Sequence, residues 1–202
     1  MAYMKSTDSL NSFFNTMNAY YSYGVPKPSR YSISFVGAGP QLALNKLSKE
    51  IAINTSQFFR LLSMNCEKTS FAAASFSTNP HRIYGPVREM PYERIFSGDL
   101  SLSFREDHTL SVRQFFTEWQ NNIYNTESGD INYYNDYIGD LEIIQESTGP
   151  TKNNPKDSPL YAIRLKEVYP KNINALELGH AMKDTYHTQT VELAFKDWEP
   201  IR

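Results

Sequence analysis

The chain has 202 residues, among them 14 Tyr and 12 Phe, and a formal net charge of -2 from 20 basic and 22 acidic residues. A chain of this mass buries ~70% of its unfolded surface, so it can build a core without metals or disulfides. The one cysteine, Cys66, excludes an internal disulfide and a multi-thiolate zinc site; no block of like charge marks a duplex-gripping protein, and no apolar run approaches the ~20 residues needed to span a bilayer.

The N-terminus, Met-Ala-Tyr-Met-Lys-Ser-Thr-Asp, holds no apolar stretch of signal-peptide length, so the expectation is a protein made and kept in a cytoplasm. Over residues 7–22 the spacing of Leu10, Phe13, Phe14, Met17 and Tyr21 predicts an amphipathic helix, with Thr7 or Asp8 as cap and Gly24 as stop. Val25-Pro26-Lys27-Pro28 is a stiff linker. Residues 1–28 therefore form a helical arm and 29–202 the main domain, and the arm must lay its apolar stripe on its own domain or on a neighbour.

The main domain opens with a strand, because Tyr31-Ser-Ile33-Ser-Phe35 alternates strictly. Gly37-Ala-Gly39-Pro40 breaks the chain, a short helix fits 42–53, and Phe58 to Cys66 reads as a strand, with a helix as the alternative. Residues 71–76 and 82–88 flank Ser77-Thr-Asn-Pro80 and read as two arms of a hairpin. Residues 92–96 and 100–104 read as a second strand pair around Ser97-Gly98-Asp99. The clearest helix spans 111–124, where Val112, Phe115, Phe116, Trp119 and Ile123 form one stripe and Ser111 and Gln114 have capping-box spacing. Strands follow at 138–145, 161–166 and 190–198, with a Thr-, Gly-, Pro- and Asn-rich loop at 147–159 and a turn at Tyr169-Pro170-Lys171-Asn172. The sum is a mainly β chain, an antiparallel barrel or sandwich with one flanking helix and an N-terminal helical arm.

No constellation carries chemistry. His81, His108, His180 and His187 have no metal spacing, no serine sits in a Gly-x-Ser-x-Gly elbow, and Gly37 with Gly39 lacks the third glycine of a dinucleotide site. Asp130, Asn132 and Asp136 lack the glycine and the glutamate of a calcium loop. Glu106 and Asp107 read as solvated turn residues and Cys66 as a small core residue. Catalytic, cofactor-binding and metal residues are therefore all expected to be absent.

Three segments together resemble the tail tube proteins of contractile-tailed bacteriophages. They are Arg82-Ile-Tyr-Gly-Pro86 with Tyr92 to Phe104; the helix Val112-Arg-Gln-Phe-Phe-Thr-Glu-Trp119; and Tyr169 to Leu178 with the closing Thr190-Val-Glu-Leu-Ala-Phe-Lys-Asp-Trp198. The resemblance implies a structural virion protein. Six subunits would close into a ring, rings would stack into a hollow tube inside a sheath, and the genome would pass down the bore. The tube protein of type VI secretion shares that fold. The implied partners are further copies of the chain, the sheath protein, baseplate and neck proteins, and DNA that slides through without specific binding. The implied location is the virion tail, assembled in the bacterial cytoplasm without a membrane.

An open strand edge invites another chain, and ring closure removes that edge. Phe71, Phe76, Arg82, Tyr84, Arg88 and Tyr92, on or beside the expected hairpin, are the expected subunit contacts. The N-terminal helix and residues 36–58 have no place in the simplest family members. The Pro-Gly turn that often follows the second strand is replaced by Lys68-Thr69-Ser70. A specialised tube part, an initiator at the baseplate or a terminator near the neck, is the near alternative. A monomeric β-sandwich with Tyr133, Tyr134 and Tyr137 as a sugar-binding platform is another, and an enzyme with a scattered site a third.

Overall fold

The computed structural model describes residues 10, 12–17, 26–50, 55–82, 84–96, 98–146, 159–179 and 185–201. Leu10 and residues 12–17 are helical; the other residues of the helix expected over 7–22, including Thr7, Asp8 and Tyr21, lie outside the described residues, as do His180 and most of the loop expected at 147–159. The elements then run β1 (Tyr31–Val36), α1 (Ala38–Glu50), α2 (Thr55–Asn65), β2 (Cys66–Lys68), β3 (Ala74–His81), β4 (Arg88–Phe96), β5 (Asp99–Arg105), α3 (Ser111–Ile123), α4 (Tyr134–Tyr137), β6 (Gly139–Glu146), β7 (Pro159–Ile173), β8 (Thr188–Ala194) and β9 (Asp197–Ile201).

The alternating segments pair as their patterns require. In β1, Ile33 and Phe35 are buried and face Ile143 and Leu141 of β6. The main sheet runs β1-β6-β7-β8-β5-β2, with β9 also beside β7. It is antiparallel and curls into a half-barrel, the mainly β architecture expected. β3 and β4 pair only with each other, as a separate two-stranded ribbon.

The curl turns on one residue. Glu167 has a φ of 55°, which a non-glycine residue adopts at a cost. Here β7 carries an irregularity: Gly139 pairs with Val168 while Leu141 pairs with Leu165. Before that bulge β7 pairs with β6 and β9; after it, Tyr169 and Pro170 pair with Ala194 and Leu193 of β8. The Glu167 carboxylate accepts from the Tyr134 hydroxyl at 2.9 Å and from the Lys196 ammonium, so the strained residue is held from both sides. The turn expected at 169–172 is therefore extended strand, and the bend sits two residues earlier. A bulge re-aims a strand without ending it, which a reading for turn dipeptides misses. Likewise 190–198 is two strands, β8 and β9, broken at Phe195-Lys196.

The helices cover the concave side. α3 buries Val112, Phe115, Phe116 and Trp119. These rings meet Phe35, Phe58 and Phe104 in edge-on or tilted pairs at 5.3–6.3 Å. Such pairs add to plain area burial. Asn122, not Ile123, is the buried residue of the last turn. The strand expected over 58–66 is helix α2. Phe58 and Leu62, four apart, are buried while Leu61 and Met64 are exposed, the period of a helix. Gly39 and Pro40 do not break the chain; they sit in the first turn of α1, where proline loses no bond.

The carboxylates at 106 and 107 do more than turn the chain. Leu110, at the N-cap of α3, has a φ of 52° and offers no side-chain cap. Asp107 Oδ1 instead accepts from the backbone N–H groups of Thr109 and Ser111 at 3.1 and 2.9 Å, and Glu106 Oε1 from that of Arg113 at 2.9 Å. Asp107 is pushed up by burial but pulled down further by the Ser111 and Thr109 hydrogen bonds, and ends below its ordinary 3.8. Glu106 is raised above its ordinary 4.5, first by burial and then by the Asp107 charge, against the bond from Arg113; its Oε2 is buried without a partner. A raised carboxyl stabilises the fold fully below 4.5 and loses that contribution as pH rises through the folded value. Glu106→Gln keeps the acceptor and removes the charge. It is expected to raise the melting temperature at pH 7, with the gain shrinking below pH 4.5, as read by thermal melts across pH.

Candidate assembly surface

Single-chain burial leaves one segment out. In the β3–β4 ribbon every described strand residue is exposed except Ser77 and Phe96, which are half-buried. The chain reaches the tip at 82–87, not at Ser77-Thr-Asn-Pro80 as the sequence suggested. Those four residues lie inside β3, where the register shifts between Ser77 and Thr78: Ser77 pairs with Glu93, Thr78 with Pro91, and Tyr92 is the extra residue. The turn-rich composition thus encodes a bulged, proline-containing edge ribbon. The second expected pair, 92–96 with 100–104, does not form. β4 belongs to the ribbon, and β5 pairs with β8 and β2 in the main sheet.

The ribbon is anchored at its root. Phe96 packs edge-on against Trp198 at 6.4 Å, and the Arg94 guanidinium lies 4.7 Å over the Phe96 ring and 5.4 Å over Trp198. Phe71, on the approach to β3, packs edge-on against Tyr161 at 5.4 Å. Trp198 entered the sequence reading only as the end of the closing strand and Arg94 not as a contact; the local signal for Arg94 is that it shares a face with Phe96 at i, i+2. Beyond this root the ribbon stands clear. Tyr84 is 93% exposed, Tyr92 69%, Phe76 64% and Phe71 40%. Arg82 and Arg88 are exposed and make no ion pair among the described residues. The six expected contact residues therefore fall on one projection: Phe76, Arg88 and Tyr92 on its strands, Arg82 and Tyr84 at its tip, Phe71 at its base.

A lone two-stranded ribbon is marginal in water, and clustered exposed apolar side chains mark an interaction surface. The N-terminal helix adds a second unburied stripe, since Leu10, Phe13, Phe14 and Met17 are exposed.

A different character marks the outer face of the sheet. All four ion pairs among the described residues involve β7: Arg164–Glu142, Lys166–Glu199, Lys171–Asp99 and Lys196–Glu167. Each of these four cations is paired, and Asp140, Asp197 and Glu192 add further carboxylates beside them, so the face shows no excess of positive charge.

Among the described residues no group of three His, Cys, Asp or Glu side chains can hold a metal ion. Cys66 is buried and its thiol is pushed up to about 11 by burial, which suits a core residue and not a nucleophile. Of the three tyrosines considered for a sugar platform, Tyr133 is exposed, while Tyr134 and Tyr137 meet edge-on at 78° and Tyr137 meets Tyr169 at 83°. No helix among the described residues is long and apolar enough to cross a membrane.

No curated protein matches this sequence. Among solved structures, a chain of the PVC sheath–tube complex of an extracellular contractile injection system, in its extended state, matches at a TM-score of 0.53 and 12% identity, covering 91% of this chain and 96% of that one. A chain of the anti-feeding prophage baseplate matches at 0.51 and 14%, covering 88% and 97%. A chain of the cap that terminates the anti-feeding prophage tube matches at 0.53 and 12%, covering 88% and 91%. At these identities the likeness is one of fold. The family model described as phage tail tube protein matches residues 26–200, a span that includes the curled sheet, its helical cover and the projecting ribbon. The chain therefore belongs to the phage tail tube protein family, a family of structural proteins and not enzymes.

Proposed function

We propose that this protein is the repeating subunit of the inner tube of a contractile phage tail, closing in sixes into rings that stack into a conduit for the genome. The observation that carries the reading is the β3–β4 ribbon, a long, almost wholly exposed projection bearing Phe76, Tyr84, Met90 and Tyr92 in a chain of the tail tube family. Such a surface costs solubility unless a partner covers it. A repeating subunit supplies that partner with another copy of itself. The expected contacts are Phe71, Phe76, Arg82, Tyr84, Arg88 and Tyr92. The arm, residues 1–28, is the natural second contact, because nothing described in this chain covers its stripe. Sheath, baseplate and neck proteins are the further partners of the reading, and the virion tail its location.

The test is negative-stain imaging of the purified protein together with its sedimentation. Rings of one diameter, or tubes built from them, are expected. A protein that remains monomeric at about 10 mg/ml, where an interface of ordinary size is saturated, would sink the reading. Rings that never stack would point instead to an initiator or a terminator.

The bore has its own requirement. A wall that passes DNA must not grip phosphates, because each neutralised phosphate adds salt-dependent affinity. The outer face of β6-β7-β9, whose cations are each paired with a carboxylate, suits this, and we assign it to the wall. Glu142→Gln with Glu199→Gln would free Arg164 and Lys166 from their carboxylates. That double variant is expected to bind DNA at least about tenfold more tightly than the parent at ~50 mM salt, with the difference gone by ~0.3 M. Fluorescence anisotropy with labelled DNA measures it; equal binding by both proteins would remove the assignment.

A further inference from the structure

We propose that the ribbon tip of one copy docks into an acidic hollow on the next copy, between the end of α3 and the turn at 124–132; the inference rests on the self-assembling reading above and supplies the receptor that reading leaves open. The hollow has a volume of about 400 Å³ and is lined among others by Lys46, Glu118, Asn121, Tyr124, Glu127 and Asn132. From 114 to 151 the sequence contains no Lys, Arg or His but seven carboxylates. Of these, Glu118, Glu127, Asp130 and Asp136 have no cationic partner among the described residues. Lys46 is the one cation among the lining residues.

The tip has the opposite character. Arg82 and Arg88 flank Tyr84 and Val87, all four are exposed, and neither arginine meets a carboxylate among the described residues. Apolar complementarity accompanies the charge: exposed Tyr124 lines the hollow with exposed Ile131 bridged to it, and Tyr84 and Val87 stand exposed at the tip. Aromatic and arginine side chains are the groups that most often anchor an interface.

The hollow is also preformed. Asn125 Oδ1 accepts from the Glu127 N–H at 2.9 Å, the Asn132 side chain donates to the Asn122 carbonyl at 2.6 Å, and Tyr124 and Ile131 form a single bridge. A surface already ordered loses little freedom on docking. Within one chain both surfaces stand open. Docking tip to hollow is therefore a contact between unlike surfaces of two copies, the kind that propagates into a ring or a stack.

The experiment uses the full chain in three forms beside the parent: Arg82→Glu with Arg88→Glu, Glu118→Arg with Glu127→Arg, and all four together. Arg82, Arg88 and Glu127 are exposed and Glu118 is half-buried; exposed substitutions leave folding nearly unchanged, and thermal melts of each variant check that the Glu118 change does so too. At about 50 mM salt each double variant is expected to shift the assembly midpoint at least about tenfold to higher concentration, since two like-charge pairs replace two attractive ones. The quadruple variant is expected to recover most of that loss. The differences should narrow at about 0.5 M salt, where exposed charges are screened. Assembly of both double variants at the parental midpoint, or a quadruple variant no better than either double, overturns the docking pair and leaves the hollow to a different partner. A parent that forms no oligomer at all removes the assembly reading itself, and the docking pair with it.

Discussion

Gly39→Ala is expected to lower the melting temperature by about 10 °C, because its Cβ would make the tightest approach of any described glycine. A Cβ at position 39 would lie 2.0 Å from the Tyr137 carbonyl oxygen and 2.7 Å from Trp119 Nε1. Neither neighbour can yield. The carbonyl is backbone, and it accepts the indole N–H of Trp119 at 2.7 Å. Trp119 itself is wholly buried among Phe35, Phe115 and Phe116. The methyl must either push α1 off α4 or break that hydrogen bond in the core. Overpacking and a lost buried bond together cost on the order of 4 kcal/mol. Gly98→Ala is the control, because a Cβ there meets nothing within 4 Å. Calorimetry of the pair checks the contrast, and a Gly39→Ala protein melting within about 3 °C of the parent would show that the close approach is absent.

The second large effect separates folding from assembly. Phe76→Ser, Tyr84→Ser and Tyr92→Ser combined are expected to leave the melting temperature within about 3 °C and to abolish rings and tubes. None of the three side chains contributes to the core, so their loss costs the single chain little. Anchors of an interface behave differently: truncating a buried aromatic costs roughly 2 kcal/mol or more, and three exceed what a stacked ring can lose. Trp198→Ala is the informative companion. It removes the ring on which Phe96 and Arg94 rest, so it should loosen the root of the ribbon and lower both stability and assembly. Sedimentation velocity with melting curves distinguishes the two outcomes. A triple variant that still forms rings would transfer the assembly surface elsewhere.

How much of this was legible in advance follows from which signals are local. The alternation of Ile33 with Phe35 and of Leu141 with Ile143 placed core-facing strands directly, because side-chain direction in a strand has period two. The stripe of α3 was as clear. Errors gathered where one composition serves two structures. Ser77-Thr-Asn-Pro80 has the residues of a turn, yet it forms a bulged strand, because its partner Glu89–Glu93 lies across a tip that begins only at 82. Phe58 to Cys66 is apolar enough for a strand or a helix, and burial of Phe58 and Leu62 against the Phe115 side of α3 selected the helix. Glu106 and Asp107 looked like solvent residues until the left-handed Leu110 left α3 without a cap of its own.

Residue order alone was enough to set the class of the molecule: alternation and aromatic content dictated a β core under one strong helix, and the ordered motifs pointed to a tube subunit. It also placed the expected contact residues, all exposed, near one another in the chain. Folding alone settled that 88–96 joins 74–81 and not 99–105, that β7 bends at Glu167 to serve both halves of the sheet, and that its charges cancel across neighbouring strands. The reason is physical: periodicity reports what each residue wants to bury, whereas strand partners, bulges and charge pairs depend on groups brought together from distant parts of the chain.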